Sequence, residues 1–410
     1  MIDVPQKTRH AVRMACAART LARAAGNDHL KRLVGRYCFV HLHDVVRYAP
    51  RWKNQLGRSP ATQVAVEAAA PALARLRRDW DEYQEVRHFL AAKRKPRDPD
   101  AAVDQLATFR AWARIGELSV ETLVDDAIEV YSQLSAFEHL PAVEYELEAP
   151  AEVARAFEAF TPVGEQALLE VDASTFAAAR PNTIALRMGE DVGRLIPLIN
   201  DVAESAKLLA ELASAVSGID PLHTLVTCSL PMEIVELLRL SVGPPDSVLA
   251  HTPDTTSLLA LYRSYSDPGP VVDVLEELRN SIDQPTWDWL LGWRNHLGAH
   301  TDDQLPWTDI ATAIQNNNPA RWSPMLDWIT LRLEHAACTP GGPPLLLLGH
   351  RHLRSLLSGV EHAEGLPYDD VSTAVDPGGL PSALPPDHAD SRFAIHVAGT
   401  DGARLVGAVA

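Results

Sequence analysis

The sequence predicts an all-α protein made of two tandem helical-bundle modules with a small C-terminal β-hairpin extension. Apolar residues recur at spacings of three and four along most of the chain, as on the buried face of an amphipathic helix. Aromatic residues make up only 6% of the 410 residues while alanine and leucine are abundant, which favours helices over sheets. Segments of helical length are separated by short loops marked with proline and glycine.

Changes in composition, together with prolines and glycines, divide the chain into four parts. Two or three domains are expected for this length, and the two helical modules are the main ones. The Pro340–Pro344 run, Pro-Gly-Gly-Pro-Pro, is typical of a linker. The parts are a basic N-terminal helical module (1–140), a helical connecting region (141–218), a second helical module (219–338), and the linker with the C-terminal hairpin (339–410).

The first module begins with two helices. Residues 6–25 predict a helix with a basic face, and Gly26 ends it. The cations of that face are Lys7, Arg9, Arg13, Arg19 and Arg23. Asn27 or Asp28 caps the next helix, which we expect to run to about Tyr48 because Pro50 marks a loop.

A continuous apolar stripe predicts the third helix. Its members are spaced three or four apart and are Leu73, Leu76, Trp80, Tyr83, Arg87 and Leu90. This helix ends at the basic run Lys93-Arg94-Lys95-Pro96-Arg97, whose positive charges interact favourably with the negative end of the helix dipole.

Further helices follow as far as the linker, with one short strand expected over 143–147. The expected helices cover 101–115, 119–140, 151–160, 191–216 with a kink at Pro197, 232–240, 255–265, 270–282, 287–300, 307–315 and 320–337. At the end of the chain, β-prone runs at 393–397 and 404–409 flank a glycine-containing turn and predict a hairpin. A lone hairpin is marginal in water, so it must dock on the body or on a partner.

Charge is distributed unevenly. Residues 1–116 hold 22 Lys and Arg against 11 Asp and Glu, a net of +11, and the remainder carries −28 of the total of −17. The favoured interpretation is that the basic part packs against, or simply lies beside, the acidic part; the other is a local nucleic-acid surface.

One heptapeptide concentrates groups that can do chemistry: Arg294-Asn295-His296-Leu297-Gly298-Ala299-His300 closes a tryptophan-rich helix. A degenerate copy, Arg87-His88-Phe89-Leu90-Ala91-Ala92-Lys93, closes the third helix, with Lys93 in place of the last histidine. Arg294, Asn295 and His300 form an R-[polar]-x(4)-H pattern at the end of a helix, which resembles the HEPN superfamily. The family's commonest spacing puts the histidine one residue earlier, where Ala299 stands.

The resemblance implies a helical bundle and, in active members, a metal-independent endoribonuclease of a defence or toxin–antitoxin system, usually paired across a dimer. His300 would act as general acid or base, Arg294 would hold the phosphate, and Asn295 would orient either of them. RNA binding would fall to Arg87, Lys93, Arg94, Lys95 and Arg97. No cofactor is required. RNA, an antitoxin or effector protein and a second copy are the expected partners.

Geometry constrains that site, because six residues on a continuous helix turn through about 600° and Arg294 and His300 would not share a face. The helix therefore ends near Gly298, or another copy of the motif completes the site. His296 and His300 stand four apart and could instead hold a metal.

The alternative function is a non-catalytic helical interaction or scaffold protein with an acidic partner-binding surface, so the sequence leaves open whether the chain is an enzyme at all. The four cysteines form no metal or disulfide pattern and are expected to be reduced and buried. With no apolar run long enough to span a bilayer, we expect no membrane association and a cytoplasmic protein.

Overall fold

A computed structural model of the chain describes residues 3–55, 60–78, 120–138, 141–143, 147–160, 189–243, 257–264, 269–294, 305–317, 322–339, 394–398 and 404–408. The described helices are α1 (Val4–Ala24), α2 (Asp28–Gln55), α3 (Pro60–Arg78), α4 (Val120–Glu138), α5 (Ala151–Ala159), α6 (Gly189–Ala215), α7 (Leu222–Ser241), α8 (Leu258–Arg263), α9 (Val271–Asn280), α10 (Gln284–Trp293), α11 (Trp307–Gln315) and α12 (Trp322–Cys338). The predicted all-α class is confirmed for this body of helices.

Two short strands, β1 (Ala394–Ala398) and β2 (Arg404–Ala408), pair antiparallel with Ala394 opposite Ala408. The residues between the two strands, and those on either side of them, lie outside the described part of the chain. The hairpin as a docked extension therefore stays a prediction, and so does the division into two tandem modules.

Helices α1 and α2 pack along each other and form much of the core of the N-terminal helices. Proline in the first turn of α1 suits a helix start, and the Asn27 side chain accepts a hydrogen bond from the Leu30 amide at 2.8 Å, as an N-cap does. The prediction that α2 ends near Tyr48 is wrong. The helix runs through Pro50 to Gln55, because the fully buried Trp52 outweighs the lost backbone hydrogen bond.

Helix α3 packs on α4, burying Ala65, Ala69, Ala72 and Leu76. It carries the first two members of the predicted stripe, since Leu76 is buried and Leu73 half-buried. The other members, from Trp80 onwards, lie outside the described residues, as does the expected helix over 101–115.

The later helices follow the predicted order, and two details differ. Helix α7 begins well before the expected Met232 and continues through Pro231, where the flanking Leu230 and Met232 are fully buried. Val143 and Leu147, the ends of the expected strand, lie in irregular backbone, and the residues between them are outside the described part. Helix α6 includes Pro197, and the turn after it places Gly218 at a φ of 76°, a conformation that favours glycine.

The chain forms two compact units, and neither is one continuous stretch. The first comprises Met1–Phe160, Leu209–Met232 and Leu290–Pro319; the second comprises Thr161–Leu208, Glu233–Trp289 and Ala320–Ala410. Within the second unit, α9 packs on α8 and α12. The domain boundaries predicted from the sequence stay predictions. None of the described helices has both the length and the apolar character needed to cross a membrane.

Candidate functional site

The helix that leads into the heptapeptide is well defined at its start. Asp283 accepts a hydrogen bond from the Thr286 amide at 2.9 Å, as an N-cap does. Hydrogen bonding from the Thr286 side chain, and then from its amide, lowers the pKa of the Asp283 carboxyl. Trp287 and Leu290, three residues apart, are buried on one face of α10. Trp289 is 40% exposed, and its ring stacks on that of Trp322 with centroids 4.7 Å apart.

The α-helical pattern of α10 ends at Trp293, and Arg294 lies in a wider turn of the π type. Arg294 is half-buried. Asn295 and His300 lie outside the described residues, so whether Arg294, Asn295 and His300 converge stays a prediction.

The degenerate copy of the motif and the basic run after it also lie outside the described residues. The predicted RNA-binding residues in these two segments are Arg87, Lys93, Arg94, Lys95 and Arg97. Their role in RNA binding stays a prediction.

Two cations of the basic face of α1 are buried. Lys7 is fully buried, and its Nζ donates a hydrogen bond to the Leu305 carbonyl at 2.7 Å. Arg19 is 3% exposed, and its Nη1 lies 2.6 Å from Asp125 Oδ1 and 3.7 Å from Glu121 Oε2 on α4. Neither cation is presented to an external anion.

Arg13 and Arg23, two of the three more exposed cations of α1, are also paired within the protein, whereas the buried Nε of Arg9 has no hydrogen-bond partner among the described residues. Arg13 forms an ion pair with Asp220, whose other oxygen accepts a hydrogen bond from the Thr224 hydroxyl at 2.9 Å. Arg23 forms two hydrogen bonds with Glu121, and the Nε–Oε1 distance is 2.7 Å. Three of the five cations of the predicted basic face, Arg13, Arg19 and Arg23, therefore pair with carboxylates that lie beyond residue 116.

The arginines at the end of α3 differ from those of α1. Arg75 bridges two carboxylates of α4: its Nε donates to Asp126 and its Nη2 to Glu129, each at 2.6 Å. Arg77 and Arg78 are exposed, and neither forms an ion pair with any residue in the described ranges. A pocket of about 560 Å³ opens along this part of α3.

A buried histidine pair lies on the inner side of α1 and α2. The His10 ring lies 5.3 Å from the Trp307 ring and 6.3 Å from the His41 ring, measured between centroids. Burial lowers the pKa of His10 to about 3, with the charges of His41 and Arg13 acting in the same direction. His10 is therefore neutral near pH 7 and cannot supply a proton there.

The second unit contains a buried acid. Glu334 on α12 is 3% exposed, and its Oε1 lies 3.7 Å from Lys207 Nζ on α6. Burial raises the pKa of this carboxyl, and Lys207 only partly opposes that effect. At 3.7 Å the pair is an ion pair but not a hydrogen bond.

Metal ligands and reactive thiols are not assembled in the described part of the chain. Among those residues, no three His, Cys, Asp or Glu side chains stand close enough to hold a metal ion. Cys16, Cys38 and Cys228 are free and buried, as predicted. Burial raises the pKa of Cys16 to about 11 and that of Cys228 to about 12, so both remain protonated thiols.

Comparison with protein-family models, curated proteins and solved structures finds no match to this chain.

Two exposed arginines at the end of α3, Arg77 and Arg78, were not predicted as site residues from the sequence. The sequence signal that could have found them is the Arg75-Leu76-Arg77-Arg78 run, which lies within the predicted stripe. Such a run is typical of the positive charge at a helix C-terminus and does not stand out as a site.

Proposed function

We propose that this chain is a HEPN-like protein of defence or toxin–antitoxin type that acts on RNA as a metal-independent endoribonuclease. Arg294 would hold the scissile phosphate and His300 would transfer the proton, while Asn295 would orient one of them. The attacking group would be the ribose 2′-oxygen, which displaces the adjacent 5′-oxygen from phosphorus.

The position of Arg294 supports this proposal. A regular α-helix through the motif would direct Arg294 and His300 to different sides. The α-helical hydrogen-bond pattern ends at Trp293, so Arg294 already lies in a turn of different geometry. Arg294 as a residue is half-buried, which suits a side chain that must be held in one orientation to receive a phosphate.

The remaining parts of the proposal concern the rest of the chain. Arg87 would supply a second arginine, from the same chain or from a second copy in a homodimer. The run Lys93–Arg97 would hold the RNA backbone. The two motif copies would mark two tandem helical modules, and the protein would act in the cytoplasm with an antitoxin or effector protein as partner.

Cleavage of a mixed-sequence RNA pool in the presence of EDTA tests the proposal. The natural protein should cleave, and Arg294→Ala and His300→Ala should each lower the rate by about 100-fold or more. Arg155→Ala is a matched control, because Arg155 is an exposed arginine on α5 whose one ion pair among the described residues is with Glu152 at 2.6 Å. Cleavage that survives both motif substitutions would refute the site assignment.

The second candidate is a non-catalytic helical interaction or scaffold protein whose acidic surface binds a partner. The pairing of the α1 cations favours it, since Lys7, Arg13, Arg19 and Arg23 are all engaged within the chain and do not form an open basic face. Under this candidate, the natural protein leaves the RNA pool intact, and Arg294→Ala changes only thermal stability.

A further inference from the structure

The pocket on α3 combines an apolar floor with arginines at one end. Its volume is about 560 Å³, within the range of pockets that hold small molecules or single residues of a polymer. The described residues that line it are Ala70, Leu73, Ala74, Arg75, Arg77 and Arg78.

Helical spacing explains this combination. Ala70, Ala74 and Arg78 are four residues apart, and Leu73 and Arg77 form a parallel row beside them. Leu73 is half-buried and the two alanines are exposed, so the floor is apolar and accessible. The guanidinium groups follow at the C-terminal end of the same face.

Within the described part of the chain, no carboxylate cancels the charge at the end of α3 completely. Arg75 pairs with two carboxylates of α4, Asp126 and Glu129, each at 2.6 Å. Arg77 and Arg78 are exposed and form no ion pair within the described ranges. Among the described residues, these two guanidinium groups are therefore open to an external anion, unlike Arg13, Arg19 and Arg23 of α1.

We propose that this pocket binds one nucleotide unit of single-stranded RNA. Arg77 and Arg78 hold the phosphate, because guanidinium forks match phosphate oxygens. The ribose or base lies over Leu73 and Ala74. The choice of RNA over another polyanion rests on the proposed function, whereas the position of the site rests on the pocket and its charges.

Binding of a fluorescently labelled, mixed-sequence 2′-O-methyl oligonucleotide tests the proposal, because this probe lacks the 2′-hydroxyl needed for cleavage. The measurement is anisotropy over roughly 50 to 200 mM salt with the full chain. Arg77→Gln/Arg78→Gln removes the contact to one phosphate and should flatten the slope of log K against log salt by about 0.7. The same relation gives an affinity loss of roughly 5-fold at 0.1 M salt.

Matched variants separate a pocket from bulk charge. Ala74→Glu adds a carboxylate to the pocket floor and should lower affinity by a similar factor with both arginines intact. Ala68→Glu adds the same charge at an exposed position of α3 that does not line the pocket, and should bind nearly as the natural protein. Arg155→Gln removes one arginine elsewhere and should change affinity little. Circular dichroism verifies that each variant remains folded.

The outcomes also distinguish this proposal from the proposed function. Pocket variants that bind the probe normally overturn the proposal, whether or not the natural protein cleaves RNA. So do equal losses in the pocket and control variants, or displacement of the probe by poly-aspartate as effective as by unlabelled RNA. Loss confined to the pocket variants supports the proposal even if the natural protein cleaves nothing.

Discussion

Helix α1 and the end of α3 are both rich in cations, yet the structure uses these cations differently. On α1, Lys7 and Arg19 are buried against groups from distant parts of the chain, Leu305 and Asp125. At the end of α3, Arg75 is the one arginine that pairs with carboxylates of the described residues, and the next two arginines are exposed. A count of positive charge therefore overstates the surface that an anion can reach, because burial and pairing decide which cations are available.

Burial should separate two arginines of α1 that share the partner Glu121. Arg19→Ala should lower the free energy of unfolding by about 2–4 kcal/mol, because it removes a buried partner of Asp125 together with its packed stem. Arg23→Ala should cost only about 0.2–1 kcal/mol, since its side chain is 51% exposed. Urea unfolding of the two variants measures the difference. Equal costs would show that burial does not distinguish these ion pairs.

The polar interior of α1 should make stability depend on pH. His10 has a folded pKa of about 3 against 6.5 for the unfolded chain. Below pH 6.5 the unfolded state takes up a proton that the folded state refuses, so stability falls as pH falls from 6.5 towards 3. The slope from this group approaches about 1.4 kcal/mol per pH unit, or roughly 2–3 kcal/mol between pH 6.5 and 4.5.

The substitution His10→Gln removes this contribution and should reduce the acid loss, as measured by urea unfolding at several pH values. His41, Arg13, Asp44 and Asp220 also influence this histidine, and they remain in the variant. An unchanged slope in His10→Gln would assign the acid sensitivity to other groups.

The arginines of α3 should differ from one another by a smaller amount. Arg75→Gln removes two hydrogen-bonded ion pairs to α4 and should lower the midpoint of thermal unfolding measurably, although solvent screening limits the effect because the groups are partly exposed. Arg77→Gln should change stability by less than about 0.5 kcal/mol, since no described residue pairs with it. Thermal unfolding of the two variants compares them. A large cost for Arg77→Gln would mean that this arginine is structural and would weaken its assignment to a binding pocket.

Local signals predicted most of the helices. The bounds of α11, Trp307–Gln315, are those expected from the sequence, and Asn27 caps α2 as its position suggested. Local signals failed at Pro50 and Pro231, because the helix continues where fully buried side chains lie close by: Tyr48 and Trp52 in α2, Leu230 and Met232 in α7. Tertiary packing overrides a local breaker there, and one sequence does not reveal that packing.

The candidate sites were less predictable, because their partners lie far along the chain. Arg13 and Asp220 are separated by 207 residues, and no spacing rule connects them. The heptapeptide at Arg294 could be found from its letters alone, whereas the availability of Arg77 required knowing which carboxylates Arg75 occupies. Short-range motifs identify chemistry; only the fold identifies which charges remain unpaired.

The bond between Lys7 and the Leu305 carbonyl joins groups separated by 298 residues. During synthesis, the lysine emerges long before its acceptor exists. At about 5–20 residues per second, the interval is roughly 15–60 s. Throughout that time the Lys7 amine lacks the Leu305 carbonyl that accepts its hydrogen bond in the finished protein. The first unit can therefore complete its core only late in translation, and a chain truncated before Leu305 lacks this acceptor altogether.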